Sequence, residues 1–126
     1  MPATAQVLES HDAALLAQDA AKVSCHYATD AVLIVNGHIC RGREEIAAMY
    51  AGLIGDLPDA TWRTDVAVVE GDLAYVEWSC DAKRARVGFG TDTFVVAHGL
   101  IVRQTASFRI VTTTGPAVPG DVDPSA

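Results

Sequence analysis

Residues 31–46 decide the fold, and they read AVLIVNGHICRGREEI. The apolar run from Ala31 to Val35 is typical of a short buried strand. Asn36-Gly37 follows it, and this pair favours a tight hairpin because both residues tolerate positive φ. His38 to Cys40 would then form the returning strand, and Gly42 separates that strand from a helix. The stretch therefore predicts a hairpin that leads directly into a helix.

Helical patterns lie on both sides of this hairpin. The segment rich in Ala, Leu and Gln before it predicts a helix over residues 3–18. Asp19 is a suitable N-cap for a shorter helix over 20–27. After the hairpin, apolar residues at helical spacing predict a third helix over 43–54, which Gly55 ends.

The rest of the chain reads as an antiparallel meander with strands at 60–70, 73–82, 89–97 and 100–112. Three helices followed by such a meander predict an α+β domain over residues 1–112. Its helices would pack on one face of a strongly curved, antiparallel or mixed sheet and leave a conical cavity between the two layers. Residues 113–126 hold three prolines among Gly, Asp and Ser, which predicts a disordered, solvated tail.

Composition and charge exclude several classes of function. The chain of 126 residues carries a formal net charge of −7, and its nine Lys and Arg residues form no basic stripe for nucleic-acid phosphates. The same acidity disfavours an anionic membrane surface, and no apolar run approaches the roughly 20 residues of a spanning helix. The three cysteines are scattered and the histidines lack metal-ligand spacing, so we expect neither a disulfide framework nor a metal site. We expect a cytoplasmic protein without a signal peptide.

Two polar residues are expected on apolar faces that point into the domain. His11 lies on the buried stripe of the first helix, three residues after Leu8. Asp92 lies two residues before Phe94, so both side chains share one face of a strand. Burial raises the pKa of a carboxyl group, and such a group in a pocket is a candidate acid or base. Two alternatives stay open: a bulge at the nearby glycines would turn Asp92 to solvent, and His11 would be a hydrogen-bonded core histidine.

The alternation along the strands also predicts what the two faces of the sheet carry. Trp62 and Trp78 share a parity on neighbouring strands, so they form either an aromatic wall or ordinary core packing. The outer face is half-apolar and too large to leave uncovered, so we expect a homodimer through it. Its residues on the last strand would be Ile101, Arg103, Thr105, Arg109 and Val111.

Several loose motifs occur in a specific order between about residues 5 and 112. They are AQD at 17–19, YATDAVL at 27–33, RGREEI at 41–46, GDLAYVEW at 71–78 and DTFVVAHGLIV at 92–102. In this order they resemble the nuclear-transport-factor-two-like superfamily, on its SnoaL-like and ketosteroid-isomerase-like side. The resemblance implies a cone-shaped, cystatin-like roll, and it implies dimers with their sheets back to back. It does not specify an activity, because this fold hosts enzymes and non-enzymes.

The resemblance also places the isomerase's functional positions on this chain. Aligned without gaps, the isomerase's tyrosine falls on His11, its general base on Val35 and its protonated aspartic acid on Asp92. Valine accepts no proton, so the resemblance points away from steroid isomerisation. The SnoaL-like cyclases are similar in using a strand carboxylate as acid and base, which suits Asp92.

These observations lead to two functional hypotheses. In the first, the chain is an isomerase, cyclase or lyase that needs no cofactor and acts on an apolar ring, polyketide-like or steroid-like. Asp92 would be the general acid/base and His11 its partner. In the second, the same fold binds a small apolar molecule or serves as a scaffold, without chemistry. In both, the pocket walls would include Tyr27, Val35, Tyr50, Trp78 and Phe94.

Overall fold

Three helices and seven strands follow one another within residues 3–113, the part of the chain that the computed structural model describes. The tail expected over 113–126 lies outside the described residues, apart from Thr113. The helices are α1 (Thr4–Leu16), α2 (Ala20–Ser24) and α3 (Gly42–Asp56). The strands are β1 (Tyr27–Val35), β2 (His38–Arg41), β3 (Thr61–Glu70), β4 (Leu73–Asp81), β5 (Ala85–Ala97), β6 (Leu100–Phe108) and β7 (Val111–Thr112).

The sheet confirms the α+β prediction and is mixed. Its strand order is β2-β1-β6-β5-β4-β3, and β7 pairs with the start of β5. The meander from β3 to β6 is antiparallel, as the sequence predicts. β1 joins β6 in parallel, because the long connection through α3 and the meander brings the chain back in the same direction.

The hairpin between β1 and β2 also confirms the sequence prediction. Asn36 and Gly37 adopt φ values of 49° and 84°, and Val35 pairs with His38 across the turn. The Asn36 side chain accepts a hydrogen bond from the Phe108 amide at 2.8 Å, which ties the turn to the end of β6. The hairpin therefore lies beside the C-terminal end of β6.

The second helix is shorter than the sequence suggests. Asp19 does cap it, accepting a hydrogen bond from the Lys22 amide at 3.0 Å, but the helix ends at Ser24. Tyr27, expected as its last residue, begins β1 instead. There its carbonyl accepts a bond from Arg43 Nε at 2.7 Å, and it pairs with Ile101 on β6. Pairing with the sheet outweighs the local helical pattern because it buries the tyrosine completely.

The expected boundaries of β5 and β6 are also corrected. Arg86, expected in a connection, pairs with Asp81 inside β5, and the last strand breaks after Phe108 before the short β7. Ile101 is fully buried rather than on the outer face. The register shifts so that Val96 pairs with Ile101 and Val95 with Arg103, and the extra residue Val102 reverses the alternation.

The hydrophobic core lies between the helices and the inner face of the sheet. Its most buried large side chains come from every layer, namely Val23, Tyr27, Leu33, Ile46, Leu57, Val87 and Ile101. Across residues 3–113, no helix is both long enough and apolar enough to cross a membrane.

Candidate active site

A cavity of about 160 Å³ lies between α1, α3 and the inner face of strands β3 to β6. Apolar and aromatic side chains dominate its walls, with a few polar groups among them. The helices contribute Leu8, His11, Asp12, Leu15, Leu16, Met49, Tyr50 and Leu53. The sheet contributes Trp62, Arg63, Thr64, Val76, Trp78, Asp92, Phe94, Gln104, Ala106 and Phe108.

Strand β5 directs Asp92 toward this cavity. A bulge does occur at the glycines before it, because Val87 pairs with Cys80 while Gly90 pairs with Trp78, one residue out of step. The bulge ends before Asp92. Asp92 therefore lies on the same inner face of the strand as Gly90 and Phe94. The alternative in which the bulge turns Asp92 to solvent does not describe this strand.

The environment of Asp92 favours its protonated form. Burial raises the pKa of Asp92 to about 6, although the hydrogen bond from Gln104 and the charge of His11 in its protonated form act in the opposite direction. The Gln104 amide donates from Nε2 to Asp92 Oδ1 at 3.2 Å. A carboxyl group with this pKa exchanges its proton close to neutral pH.

His11 is buried on α1, and both of its ring nitrogens have partners. Nδ1 lies 3.3 Å from the carboxylate of Asp12, whose side chain is exposed. Nε2 lies 3.0 Å from the Tyr50 hydroxyl and 3.1 Å from the Tyr27 hydroxyl. His11, the expected partner of Asp92, is not hydrogen-bonded to it; Tyr50 and Gln104 lie between the two side chains.

Two tyrosines and one glutamine form the centre of this network. The hydroxyls of Tyr27 and Tyr50 are 2.7 Å apart, and Tyr27 also donates to Gln104 Oε1. Gln104 Nε2 lies 3.4 Å from the Tyr50 hydroxyl. Burial raises the pKa of both tyrosines well above the ordinary value, so both hydroxyls stay protonated and act as donors.

The contacts admit an assignment in which each of these protons is used once, and the contacts of the Tyr27 hydroxyl with Tyr50 and with His11 Nε2 then carry no proton. Tyr27 donates to Gln104 Oε1, and the Gln104 amide donates one hydrogen to Asp92 and one to Tyr50. Tyr50 then donates to His11 Nε2, and a neutral His11 donates from Nδ1 toward Asp12. The network therefore runs from the exposed rim at Asp12 to the cavity wall at Asp92.

The structure separates the five expected wall residues into two groups. Tyr50, Trp78 and Phe94 line the cavity. Tyr27 and Val35 are buried but do not line it. His11, Tyr50 and Gln104 surround the Tyr27 hydroxyl, and Val35 belongs to the hydrophobic core near the hairpin.

Gln104 is the residue that the sequence analysis missed. It is almost inaccessible to solvent and lies on the inward face of β6 with Ala106 and Phe108. A polar side chain on an otherwise apolar strand face was the signal that singled out Asp92, and it was equally available for Gln104. The sequence does not reveal that Asp92 and Gln104 are in contact, because the two residues meet only through the pairing of β5 with β6.

The two tryptophans lie together on the cavity wall. Their ring centroids are 5.5 Å apart, and the ring of Trp78 is 5.4 Å from that of Phe108. Gly90 makes this possible, since a Cβ atom there would lie 2.6 Å from Cζ2 of Trp78. The aromatic side of the cavity thus depends on a glycine in the middle of a strand.

Arg63 lies on the same side of the cavity and is already paired. Its Nη1 is 2.8 Å from Asp81 Oδ2, and its Nε donates to Ser79 Oγ at 3.1 Å. Its charge is therefore balanced by Asp81. In the described range 3–113, no group of three or more His, Cys, Asp or Glu side chains is placed to hold a metal ion.

Comparisons with known proteins identify the family and the fold. The family model of the SnoaL-like domain matches residues 7–104. The chain therefore belongs to the SnoaL-like domain family. A search of curated proteins gave no match.

Solved structures share the fold at low sequence identity. A proposed polyketide cyclase from Sinorhizobium meliloti is 20% identical with a TM-score of 0.70, over 84% of this chain and 94% of the other. A proposed ketosteroid isomerase from Kribbella flavida is 16% identical with a TM-score of 0.70, over 90% and 83% of the two chains. A de novo designed protein with a curved β-sheet is 18% identical with a TM-score of 0.73, over 84% of each chain. Since a designed protein shares this architecture, the likeness establishes the fold and not the activity.

Proposed function

We propose that this chain is a cofactor-independent enzyme of the isomerase, cyclase or lyase type, in which Asp92 transfers protons as general acid and base. One observation carries the proposal: an acidic side chain is held by the Gln104 amide on the wall of an apolar cavity. With a pKa raised to about 6, Asp92 is present in both protonation states near neutral pH. Such acid–base catalysis typically contributes about 10²–10⁴-fold to a rate.

His11 has a supporting role in this proposal. Its ring nitrogens are engaged with Asp12 and with the two tyrosine hydroxyls, so it holds Tyr50 and Tyr27 in place. Val35, where the resemblance places the isomerase's base, has an aliphatic side chain that is only 6% exposed. Asp92 would therefore both give and take the proton during one reaction cycle.

The size of the cavity limits the substrate. An apolar protein cavity of about 150 Å³ holds one benzene molecule. The cavity here is about 160 Å³, so the part of the substrate beside Asp92 has the size of one ring. Any further ring of a polyketide-like or steroid-like molecule would extend through the opening.

Exchange of the α-protons of cyclohexanone in D₂O, followed by NMR, tests the proposal. The ketone has one ring, and loss of an α-proton is accelerated by a positioned acid or base. We expect exchange faster than in buffer alone, and Asp92→Asn should reduce it to the buffer rate. Asp72→Asn, the same change at an exposed turn between β3 and β4, is the matched control and should keep the wild-type rate. A wild-type rate equal to that of buffer would contradict acid–base catalysis on such ketones.

A second function on the same fold is ligand binding or scaffolding without chemistry. Val35 favours this second function, because it stands where the resemblance places the general base of the ketosteroid isomerases and its side chain accepts no proton. Under this alternative cyclohexanone still shifts the signals of cavity residues, but neither wild type nor Asp92→Asn accelerates exchange. Binding without exchange thus separates the two functions.

We also propose that the outer face of the sheet joins two copies of the chain. A shallow hollow of about 130 Å³ lies on that face. Val32, Ile34 and Val95 contribute to it, and Ile34 is 41% exposed. An exposed apolar patch on a sheet is a candidate interface, and the family resemblance suggests a second copy as its occupant.

A further inference from the structure

The indole N–H of Trp78 has no hydrogen-bond partner within residues 3–113. Its side chain is only 8% exposed and lies on the cavity wall. Buried donors without a partner are rare, because such a group loses its bond to water without replacement. This donor therefore requires an explanation that the acid–base proposal does not contain.

The fold places this donor next to Asp92. Trp78 on β4 is paired with Gly90 on β5, and its indole lies against the glycine. Asp92 follows on the same face of β5, about 7 Å further along the strand. A hydrogen-bond contribution from Trp78 lowers the pKa of Asp92, although the indole N–H and the carboxyl group do not meet with normal hydrogen-bond geometry. The strand register and the shared cavity wall thus place the indole beside the carboxyl group.

The ionised carboxylate has more acceptor sites than its present partner fills. An ionised Asp offers about four lone-pair sites and has no hydrogen of its own to donate. Gln104 fills one of them, at Oδ1. A second donor beside the carboxyl group is what the ionised form would recruit, since bonds to a charged acceptor are stronger than neutral ones.

We infer that Trp78 is a positioning residue for Asp92, whose indole N–H donates a second hydrogen bond when the carboxyl group loses its proton. The bond forms in the ionised state and opens in the protonated state. With Gln104 on one side and Trp78 on the other, the carboxyl group keeps one orientation toward the cavity through both proton transfers. The catalytic use of this bond rests on the proposed function, but the bond can be measured without any substrate.

Other ionisable groups surround the same space and have to be separated from Asp92. They are His11 and Asp12 on α1, Tyr27 on β1, Tyr50 on α3 and Arg63 on β3. The tyrosines keep their protons at neutral pH, because burial raises their pKa values. The Asp92→Asn variant removes the Asp92 carboxyl group and leaves the other groups in place, so a pH-dependent change that it abolishes belongs to Asp92.

The indole signals of ¹⁵N-labelled protein test the inference directly. The chain has two tryptophans, so Trp62→Phe removes one of two indole N–H signals and assigns the other to Trp78. We expect the Trp78 signal to move downfield as the pH rises, with a midpoint near that of the Asp92 carboxyl carbon. The shift should be lost in Asp92→Asn. A signal that stays constant through the titration of Asp92 overturns the inference.

Trp78→Phe supplies the second measurement, because it keeps an aromatic ring and removes the donor. We expect the midpoint of Asp92 to rise by about one pH unit, a tenfold loss of acidity, as for a lost hydrogen bond to a charged group. Trp62→Phe, the same change on the neighbouring ring, should leave the midpoint nearly unchanged. An unchanged midpoint in Trp78→Phe contradicts the inference, and if that variant does not fold, the wild-type indole signal decides alone. Neither measurement depends on turnover, so this inference and the proposed function fail separately.

Discussion

The inner and outer faces of the sheet come from the same strands, yet their polar residues have different roles. On β6, Gln104 faces inward, is almost fully buried and bonds to Tyr27, Tyr50 and Asp92. Its neighbours Arg103 and Thr105 face outward and are exposed. Strand alternation separates the residues into two sets, and the helices over the inner face turn one set into a hydrogen-bonded network. In this sheet, the polar residues that belong to the site are those on the face that the helices cover.

Removal of an inward aromatic residue gives the largest contrast between covered and uncovered positions. Phe94→Ala deletes a ring that is only 3% exposed, so we expect the free energy of unfolding to fall by about 3–5 kcal/mol. Val68→Ala is the control on the edge strand β3, where the valine is 57% exposed, and it should change stability by about 0.5 kcal/mol or less. Urea denaturation measures both. Equal losses would show that the inner face is not the better-packed one.

Asp92→Asn should stabilise the protein at neutral pH, because the ionised group on the inner face is costly. The pKa of Asp92 is about 6 in the folded chain and 3.8 as the reference for the unfolded chain. Below about pH 4 both states are protonated and the cost is absent. As the pH rises from about 4 to 6, the unfolded state releases its proton first, so the stability of the wild type falls.

The gap between the two pKa values sets an upper limit of about 3 kcal/mol, at about 1.36 kcal/mol per pH unit. Water that reaches the half-buried side chain through the cavity reduces this value. We expect urea denaturation at several pH values to give a decline between pH 4 and 6 for the wild type and a flatter profile for Asp92→Asn. Asp72→Asn should keep the wild-type profile. The same decline in Asp92→Asn would assign the pH dependence to another group.

On the outer face, a charge should change assembly rather than folding. We expect light scattering at micromolar concentration to give twice the chain mass of 13.3 kDa for the wild type and the single mass for Ile34→Arg. When the two proteins are compared as monomers, the thermal stability of Ile34→Arg should differ little from that of the wild type, because the side chain is 41% exposed. Val68→Arg is the control on the same face but on the edge strand β3, away from the hollow formed by β1, β5 and β6, and it should remain dimeric. A monomeric wild type would contradict the dimer, and loss of dimer in Val68→Arg alone would move the interface to β3.

The sequence was sufficient to predict the α+β class, the hairpin at Asn36-Gly37 and the antiparallel meander. These features depend on local signals: positive φ at the turn, a capping Asp19, and alternation of period two along the strands. It also predicted that Asp92 shares a face with Phe94, because parity holds after the bulge at the glycines. The superfamily followed from the order of short motifs, and the match over residues 7–104 confirms it.

Tertiary structure alone decided where Tyr27, Ile101 and Gln104 belong. Tyr27 leaves the helical pattern because pairing with Ile101 buries it, and Ile101 turns inward because Val102 is an extra residue in the register of β6. Gln104 meets Asp92 and the tyrosines through contacts that span 12 to 77 positions of the chain. Local sequence rules act over a few residues, whereas the network depends on which strands pair and which helix covers them. For that reason the sequence was enough to nominate His11 and Asp92, but only the folded chain shows that Gln104 and Tyr50 lie between them.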